Sequence, residues 1–320
     1  MESLTSRLKA QALRLGFDKV GIARAEPLSE EARHLREWVA RGFHASMGWM
    51  ADALPRRTDP REILPGARSV VSLAMNYFSD TPHSEEPRNG KISRYAWGDD
   101  YHEILSSRAE KLCAWLAREV PGSASKLYVD TGPVMEKAWA ARSGIGWLGK
   151  HTNIITTEYG SWIFLAEILT TAELETDSAA IDHCGSCTLC IQACPTDAIV
   201  EPYLVDSNLC LSYLTIEHRG AVEEGLRERF KGWIYGCDIC QDVCPWNVKF
   251  ARPSQERAFA PRPGNEAPDL QAWILMDQTQ FSARFRKSPV KRAKWEGLLR
   301  NIRIVLGIAD PPSSSDSSHR

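Results

Sequence analysis

An α/β (α+β) domain, then a small domain organised by cysteines, then a short helical segment is the architecture this 320-residue sequence predicts. Three observations carry it. Helix-period and strand-like apolar patterns alternate over about the first 175 residues. Eight of the nine cysteines fall between positions 184 and 244. Helical patterning, now with aromatic and basic positions, returns from 253 to 308. The corresponding bounds are 1–176, 177–252 and 253–308, with a disordered tail over 309–320, where DPPSSSDSSHR is low in complexity.

In order, LTSRLKAQALRLGF has the spacing of an amphipathic helix, and SVVSLAMNYF reads as a buried strand bounded by Pro65-Gly66. HEILSSRAEKLCAWLAREV is helical until Pro121-Gly122 breaks it, and KLYVD is a short strand. PVMEKAWAARS is expected to be a helix with Pro133 in its first turn and Gly144 after its end. WIFLAEILTT closes the domain as a buried strand, and AELETDSAAID reads as a linker.

The apolar fraction of 43% suits a globular core. The N-terminus lacks the basic and continuous apolar regions of a signal peptide, and no apolar run is long enough to span a bilayer, so a cytoplasmic protein without membrane contact is expected. A net charge of -2 gives no global attraction to nucleic acid. A local excess is nevertheless present: Arg284, Arg286, Lys287, Lys291, Arg292, Lys294, Arg300 and Arg303 are set against Glu296 alone. This stretch is either a solvated helix face or a phosphate-contacting surface.

The cysteines form two runs: Cys184-x2-Cys187-x2-Cys190-x3-Cys194-Pro195, and Cys237-x2-Cys240-x3-Cys244-Pro245 preceded by Cys210. Three closely spaced thiolates hold one 4Fe-4S cubane in the bacterial ferredoxin pattern, while the cysteine before proline reaches to the other cluster. The second run lacks its first cysteine, and Cys210, 27 positions before Cys237, replaces it. One cluster is therefore assigned to Cys184, Cys187, Cys190 and Cys244, and the other to Cys194, Cys210, Cys237 and Cys240. Zinc sites rarely use this spacing, and disulfides need an oxidising compartment. Cys113 sits in an apolar helical pattern and reads as core.

Gly144-Ile-Gly146-Trp-Leu-Gly149 has the form of a dinucleotide-binding string but follows a helix rather than a strand, so it reads as a tight loop. Asp130, at the end of KLYVD, is either a helix cap or a general acid whose pKa burial would raise. His151 and Asn153 follow the glycine loop and contact either a cofactor or only the loop itself.

As a set, VDTGPVMEKAWAARSGIGWLGKHTNIIT, CGSCTLCIQACPTDAI and YGCDICQDVCPWN resemble the epoxyqueuosine reductase family, and the likeness extends from RRTDPREILPGARSVV and ISRYAWGDDYHEIL to LLRNIRIVLG. The resemblance implies a nitroreductase-like domain holding cobalamin (B12), two 4Fe-4S clusters that feed it electrons, and reduction of epoxyqueuosine to queuosine at the wobble position of a tRNA anticodon. It implies Asp130 as proton donor and Arg57, Tyr95, His151 and Asn153 as cobalamin contacts. A tRNA substrate turns the basic stretch toward phosphate contact, through Lys291, Arg292 and Lys294, with Phe285 and Trp295 either stacking on bases or packing helices. Asp100-Tyr-His102 begins a D-x-H-x-x-G string that Leu105 breaks, so no histidine is expected to displace the cofactor's own base. A monomer served by an external electron donor completes the expectation; a cobalamin-dependent reductive dehalogenase and a plain iron-sulfur electron carrier are the alternatives.

Overall fold

The computed structural model describes residues 2–309. The leading pattern folds as helix α1 (Leu4–Arg14), started by the Ser3 hydroxyl, which accepts from the Ser6 N–H. Strand β1 (Lys19–Arg24), helix α2 (Ser29–Ala40), a short helix α3 (Leu54–Thr58) and strand β2 (Ser69–Asn76) follow. Next come β3 (Lys91–Ile92), the long helix α4 (Tyr101–Glu119), β4 (Ser125–Tyr128) and α5 (Glu136–Arg142). A small hairpin of β5 (Trp147–Leu148) and β6 (Ile154–Ile155) leads to β7 (Ile163–Thr170).

Four of these strands form one sheet in the order β1-β2-β7-β4, and every neighbouring pair is antiparallel. The architecture is therefore α+β, not a parallel α/β sheet. All eight residues of β2 are buried because helices cover both faces. Val71, Leu73 and Met75 point to one side, where they meet Leu8 of α1 and Leu105 and Ala109 of α4. Val70 and Ala74 point to the other, toward Trp139 and Ala140 of α5. Each large side chain buried in this way contributes roughly 1.5–3 kcal/mol.

The acidic linker after β7 is tied down. Asp177 donates its N–H to Ile22 O and accepts from Ile22 N–H through its carboxylate, so it covers the free edge of β1.

The cysteine-rich segment has short elements: α6 (Leu189–Ala193), β8 (Ile199–Glu201), β9 (Leu204–Val205), α7 (Leu211–Ile216), α8 (Glu224–Arg227), β10 (Trp233–Tyr235), α9 (Ile239–Asp242) and α10 (Pro245–Phe250). Helices α11 (Leu270–Trp273), α12 (Gln278–Arg284) and α13 (Lys294–Leu306) complete the described chain. β10 pairs in parallel with β3, and Trp97, Ile234, Trp273, Phe285, Leu298 and Ile302 share one core, so the three sequence segments are interlocked. The low-complexity tail lies, from residue 310 onward, outside the described residues. Among the described residues no helix is long and apolar enough to cross a membrane.

One element starts later than expected. The helix after β4 begins at Glu136, not near Pro133, and its first bond runs from Trp139 N–H to Met135 O. Asp130 has a left-handed backbone (φ 58°), Thr131 N–H bonds back to Val129 O, and the Glu136 carboxylate accepts from Asp130 N–H. These bonds hold the segment as a turn, and Gly144, with φ 77°, ends the helix as expected.

Candidate cluster sites and active-site cleft

Four of the eight clustered cysteines gather from short loops around one cavity. Cys184, Cys187, Cys190 and Cys244 line a single cavity of about 140 Å³ together with Lys150, His151 and Trp246. Burial raises the Cys190 thiol, and charge at Cys244, Cys184 and Cys187 adds to it. In the other set burial pushes the Cys240 thiol far up, with Cys210 and Cys194 ahead of Cys190 among the charges it feels. Cys237 is likewise raised by burial and feels Cys240 and Cys210. Cys194 (φ -65°, ψ 114°) and Cys244 (φ -70°, ψ 123°) have the extended backbone that a following proline demands. Cys210 adopts the same conformation (φ -69°, ψ 123°) without a proline. It stands at the start of α7 as Cys244 stands at the start of α10.

All nine cysteines are free thiols, and no three metal-ligating side chains among the described residues converge on a single-ion site. Thiolates sharing one zinc would lie roughly 3.8 Å apart, given Zn–S bonds of about 2.3 Å. A cubane spaces its thiolates wider because each binds a different iron. Lys150, only 8% exposed, donates to Gly185 O at 2.6 Å and Cys187 O at 2.9 Å and so braces the first cysteine loop.

A second locus is centred on Asp130. His102 Nδ1 lies 2.7 Å from Asp100 Oδ1, and its Nε2 lies 3.3 Å from Asp130 Oδ2, so one imidazole bridges two carboxylates. Tyr101 stacks on the His102 ring at 4.1 Å and on Phe164 at 4.2 Å, fixing the plane of the bridge. Burial disfavours charge on His102, but its hydrogen bonds to Asp100 and Asp130 outweigh this and hold it up to about 9. The His102 hydrogen bond in turn holds the Asp130 carboxyl below its usual range. Sequence reasoning expected burial to raise Asp130; instead its side chain is 59% exposed, and the hydrogen bond from His102 outweighs desolvation. Nor does Asp130 cap the next helix, which has no side-chain cap. Glu136, behind the turn, is raised by desolvation and then by the Asp130 charge.

Lys137 is open to solvent, yet desolvation is the largest influence on its ammonium, which also feels Asp130, Cys240, Glu136 and Cys210. Asp130, Glu136, Cys240 and Cys210 thus lie within electrostatic reach of one ammonium. Asn153 Oδ1 accepts from Lys137 Nζ at 2.9 Å. His151 is 4% exposed, and its imidazole is lowered to about 4 by desolvation and then by the Lys137 charge. Its Nδ1 accepts from Asn153 N–H at 3.2 Å, while its buried Nε2 has no partner among the described residues. Arg57 donates to Trp49 O at 2.9 Å, and its buried Nε is likewise without a partner. The Tyr95 hydroxyl donates to the Tyr235 hydroxyl at 3.1 Å, and burial raises it well above its ordinary value, with the Asp130 charge a small further push.

The basic stretch divides. Lys291, Arg292 and Lys294 are exposed. Lys294 has φ 63° and ψ 166°, a backbone rarely seen outside glycine. Arg300 is 8% exposed and donates to the carbonyls of Leu214, His218 and Gly220, so it is a structural cation. Phe285 is fully buried, and Trp295 Nε1 donates to Met276 O, so both pack the terminal helices. His102, Asp100, Glu136 and Lys137 were missed as site residues by sequence reasoning. The available signals were Asp100-x-His102 and the Glu-Lys pair that opens α5.

Comparison with known proteins agrees with this geometry. The 4Fe-4S double cluster binding domain model matches residues 183–247, and the model described as Epoxyqueuosine reductase QueG, DUF1730 matches residues 57–131. With the paired cysteine sets, this defines the protein as an iron-sulfur oxidoreductase. The chain is 47% identical to an epoxyqueuosine reductase of Synechocystis sp. over 87% of its own length and 96% of that protein's. It is 46% identical to one of Gloeobacter violaceus over 96% and 97% of the two chains. A crystal structure of epoxyqueuosine reductase with an epoxyqueuosine-modified tRNA-Tyr stem loop superposes with a TM-score of 0.89 at 31% identity, covering 95% of this chain and 80% of that one. The Streptococcus thermophilus enzyme superposes at 0.87 with 29% identity, over 95% and 81% of the two chains. The chain belongs to the epoxyqueuosine reductase family.

Proposed function

We propose that this protein reduces epoxyqueuosine to queuosine at the wobble position of a tRNA anticodon, with cobalamin and electrons from two 4Fe-4S clusters. The observation that carries the reading is the His102–Asp130 pair, with Nε2 3.3 Å from Oδ2, in a chain that also gathers four cysteines around one cavity. A relative of the same fold holds a modified tRNA stem loop, which supports RNA as the substrate. The dehalogenase alternative is not favoured.

The residues present fit a cobalamin. Arg57 Nε and His151 Nε2 are buried nitrogens without partners among the described residues. Arg57, Tyr95, His151 and Asn153 would hold the cofactor, in a domain we take to be nitroreductase-like. When bound, cobalamin supplies a low-potential cobalt that passes electrons to the epoxide. Cys184, Cys187, Cys190 and Cys244 would ligate one cluster, and Cys194, Cys210, Cys237 and Cys240 the other.

Converting an epoxide to an alkene and water consumes two electrons and two protons. His102 and Asp130 act as one acid for the first of these protons, which passes from His102 Nε2 through Asp130 Oδ2 to the departing oxygen, and solvent supplies the second so that the oxygen leaves as water. Asp100, on the far nitrogen, fixes the ring and stabilises its charged form. Glu136 holds the backbone of the Asp130 turn through the Asp130 N–H. Lys291 and Lys294 would meet phosphates of the anticodon arm.

The test is anaerobic incubation of cluster-loaded protein with epoxyqueuosine-containing tRNA and a chemical reductant, with and without cobalamin, followed by nucleoside analysis. Cobalamin-dependent queuosine supports the reading. No queuosine from fully loaded protein overturns it.

A further inference from the structure

Trp49 is 43% exposed, and it is the one tryptophan among the exposed large apolar side chains of the described residues. Its loop is firmly held. Ser46 bonds to the Tyr213 hydroxyl through its N–H at 3.1 Å and its Oγ at 2.6 Å, and Ala45 and Met47 pack against the same buried cluster as Cys210 and Cys237. Arg57 bonds to the Trp49 carbonyl at 2.9 Å. The loop therefore shares a core with two cysteines of the second run.

The ring is also aimed. The Arg292 guanidinium carbon stands 5.5 Å from the Trp49 ring centroid, and Glu217 grips the same guanidinium through two bonds of 2.7 and 2.9 Å. Arg292 is thereby committed to the ring and to Glu217 rather than to a phosphate. It also feels the charge of Asp130, which puts the pair within electrostatic reach of that carboxylate. No other ring packs on Trp49 among the described residues, and Arg56, Lys291 and Lys294 are exposed cations on the neighbouring segments. A fixed aromatic surface edged by cations matches the chemistry of a single-stranded nucleic acid, whose bases stack on the ring while its phosphates meet the charges.

We propose that Trp49 is the stacking platform for an unpaired base of the anticodon loop beside the modified nucleotide, and that Arg292, held by Glu217, is its positioning residue. This rests on the RNA-substrate reading above. The experiment is binding of an epoxyqueuosine-modified stem loop to cluster-loaded wild type, Trp49→Ala, Trp49→Phe and Glu217→Gln, measured by anisotropy across a salt series.

Trp49→Ala is expected to weaken binding roughly 5- to 100-fold, the range for loss of one base–aromatic stack. Trp49→Phe should recover most of the affinity, and Glu217→Gln should show a smaller loss. The salt dependence of Trp49→Ala should match wild type, because a stack neutralises no phosphate. Wild type that fails to bind the stem loop sinks the RNA reading and the stack with it. Wild-type binding that Trp49→Ala leaves intact overturns the stack alone. So does a Trp49→Ala protein that binds RNA normally but takes up less cobalamin, since the ring would then be a wall of the cofactor site.

Discussion

His102 Nε2 stands 3.3 Å from Asp130 Oδ2, and the two side chains hold one proton between them. Asp130 follows an edge strand and His102 lies in the first turn of a long helix, so the pair exists only because α4 packs beside β4. The proton's place on the imidazole, rather than on the carboxyl, sets the first expectation.

Turnover should fall as pH rises through about 9, where His102 loses its proton. His102→Gln should lower the rate on the order of 100-fold and abolish that alkaline limb. Linkage has a matching sign. His102 is raised from 6.5, so its stabilisation is full below 6.5 and is lost as pH climbs through about 9. Thermal melts across this window should lose more stability in wild type than in His102→Gln. Equal losses would show that the pair does not form.

The cysteine assignment makes an asymmetric claim. Cys210→Ser is expected to remove about half the iron and leave one intact cluster, because the eight ligands are shared equally. Cys244→Ser, though it alters the second run, should damage the same cluster as Cys187→Ser. Iron analysis with EPR of the reduced proteins checks both, and a Cys244→Ser spectrum that resembles Cys240→Ser would refute the exchange between runs.

Of the basic residues, only the exposed ones should matter for RNA. Lys291→Gln with Lys294→Gln should weaken stem-loop binding most at low salt and flatten the salt dependence by about one to two ions. Arg300→Gln should instead lower the melting temperature, since it strips donors from three carbonyls. An unchanged salt slope in the double variant would return this segment to a solvated surface.

Gly21 tests the packing of β1 against the end of α5. A Cβ there would stand 2.1 Å from Ser143 O, so Gly21→Ala must push β1 away from the end of α5. A destabilisation of about 1–3 kcal/mol is expected, read as a lower melting temperature with both clusters retained. A melting temperature equal to wild type would mean that the two elements are not packed as described.

Much of this was legible in the residues. The cysteine spacing pointed to the double-cluster segment at 183–247 and to the grouping of Cys184, Cys187, Cys190 and Cys244, which line one cavity, because ligand geometry is local and proline fixes the backbone of its predecessor. The helices at 4–14 and 101–119 and the strands at 69–76 and 163–170 followed from periodicity. Strand direction did not, since an eight-residue apolar run looks alike in parallel and antiparallel sheets. Asp130's ionisation was misread because its partner, His102, lies 28 positions earlier and meets it only through tertiary packing. Arg300 was counted with the surface cations because its neighbours in sequence are basic, whereas its carbonyl partners lie some 80 or more positions away.

The most direct test joins electrons to product in one sample. Protein loaded with both clusters and cobalamin would be reduced, freed of reductant and mixed anaerobically with epoxyqueuosine-containing tRNA. EPR of the clusters and nucleoside analysis would then be taken from the same time points. The expected result is loss of the reduced-cluster signal in step with queuosine formation, with Asp130→Asn keeping both signal and substrate. A reduced-cluster signal that persists in wild type while the tRNA is unchanged would contradict the central claim.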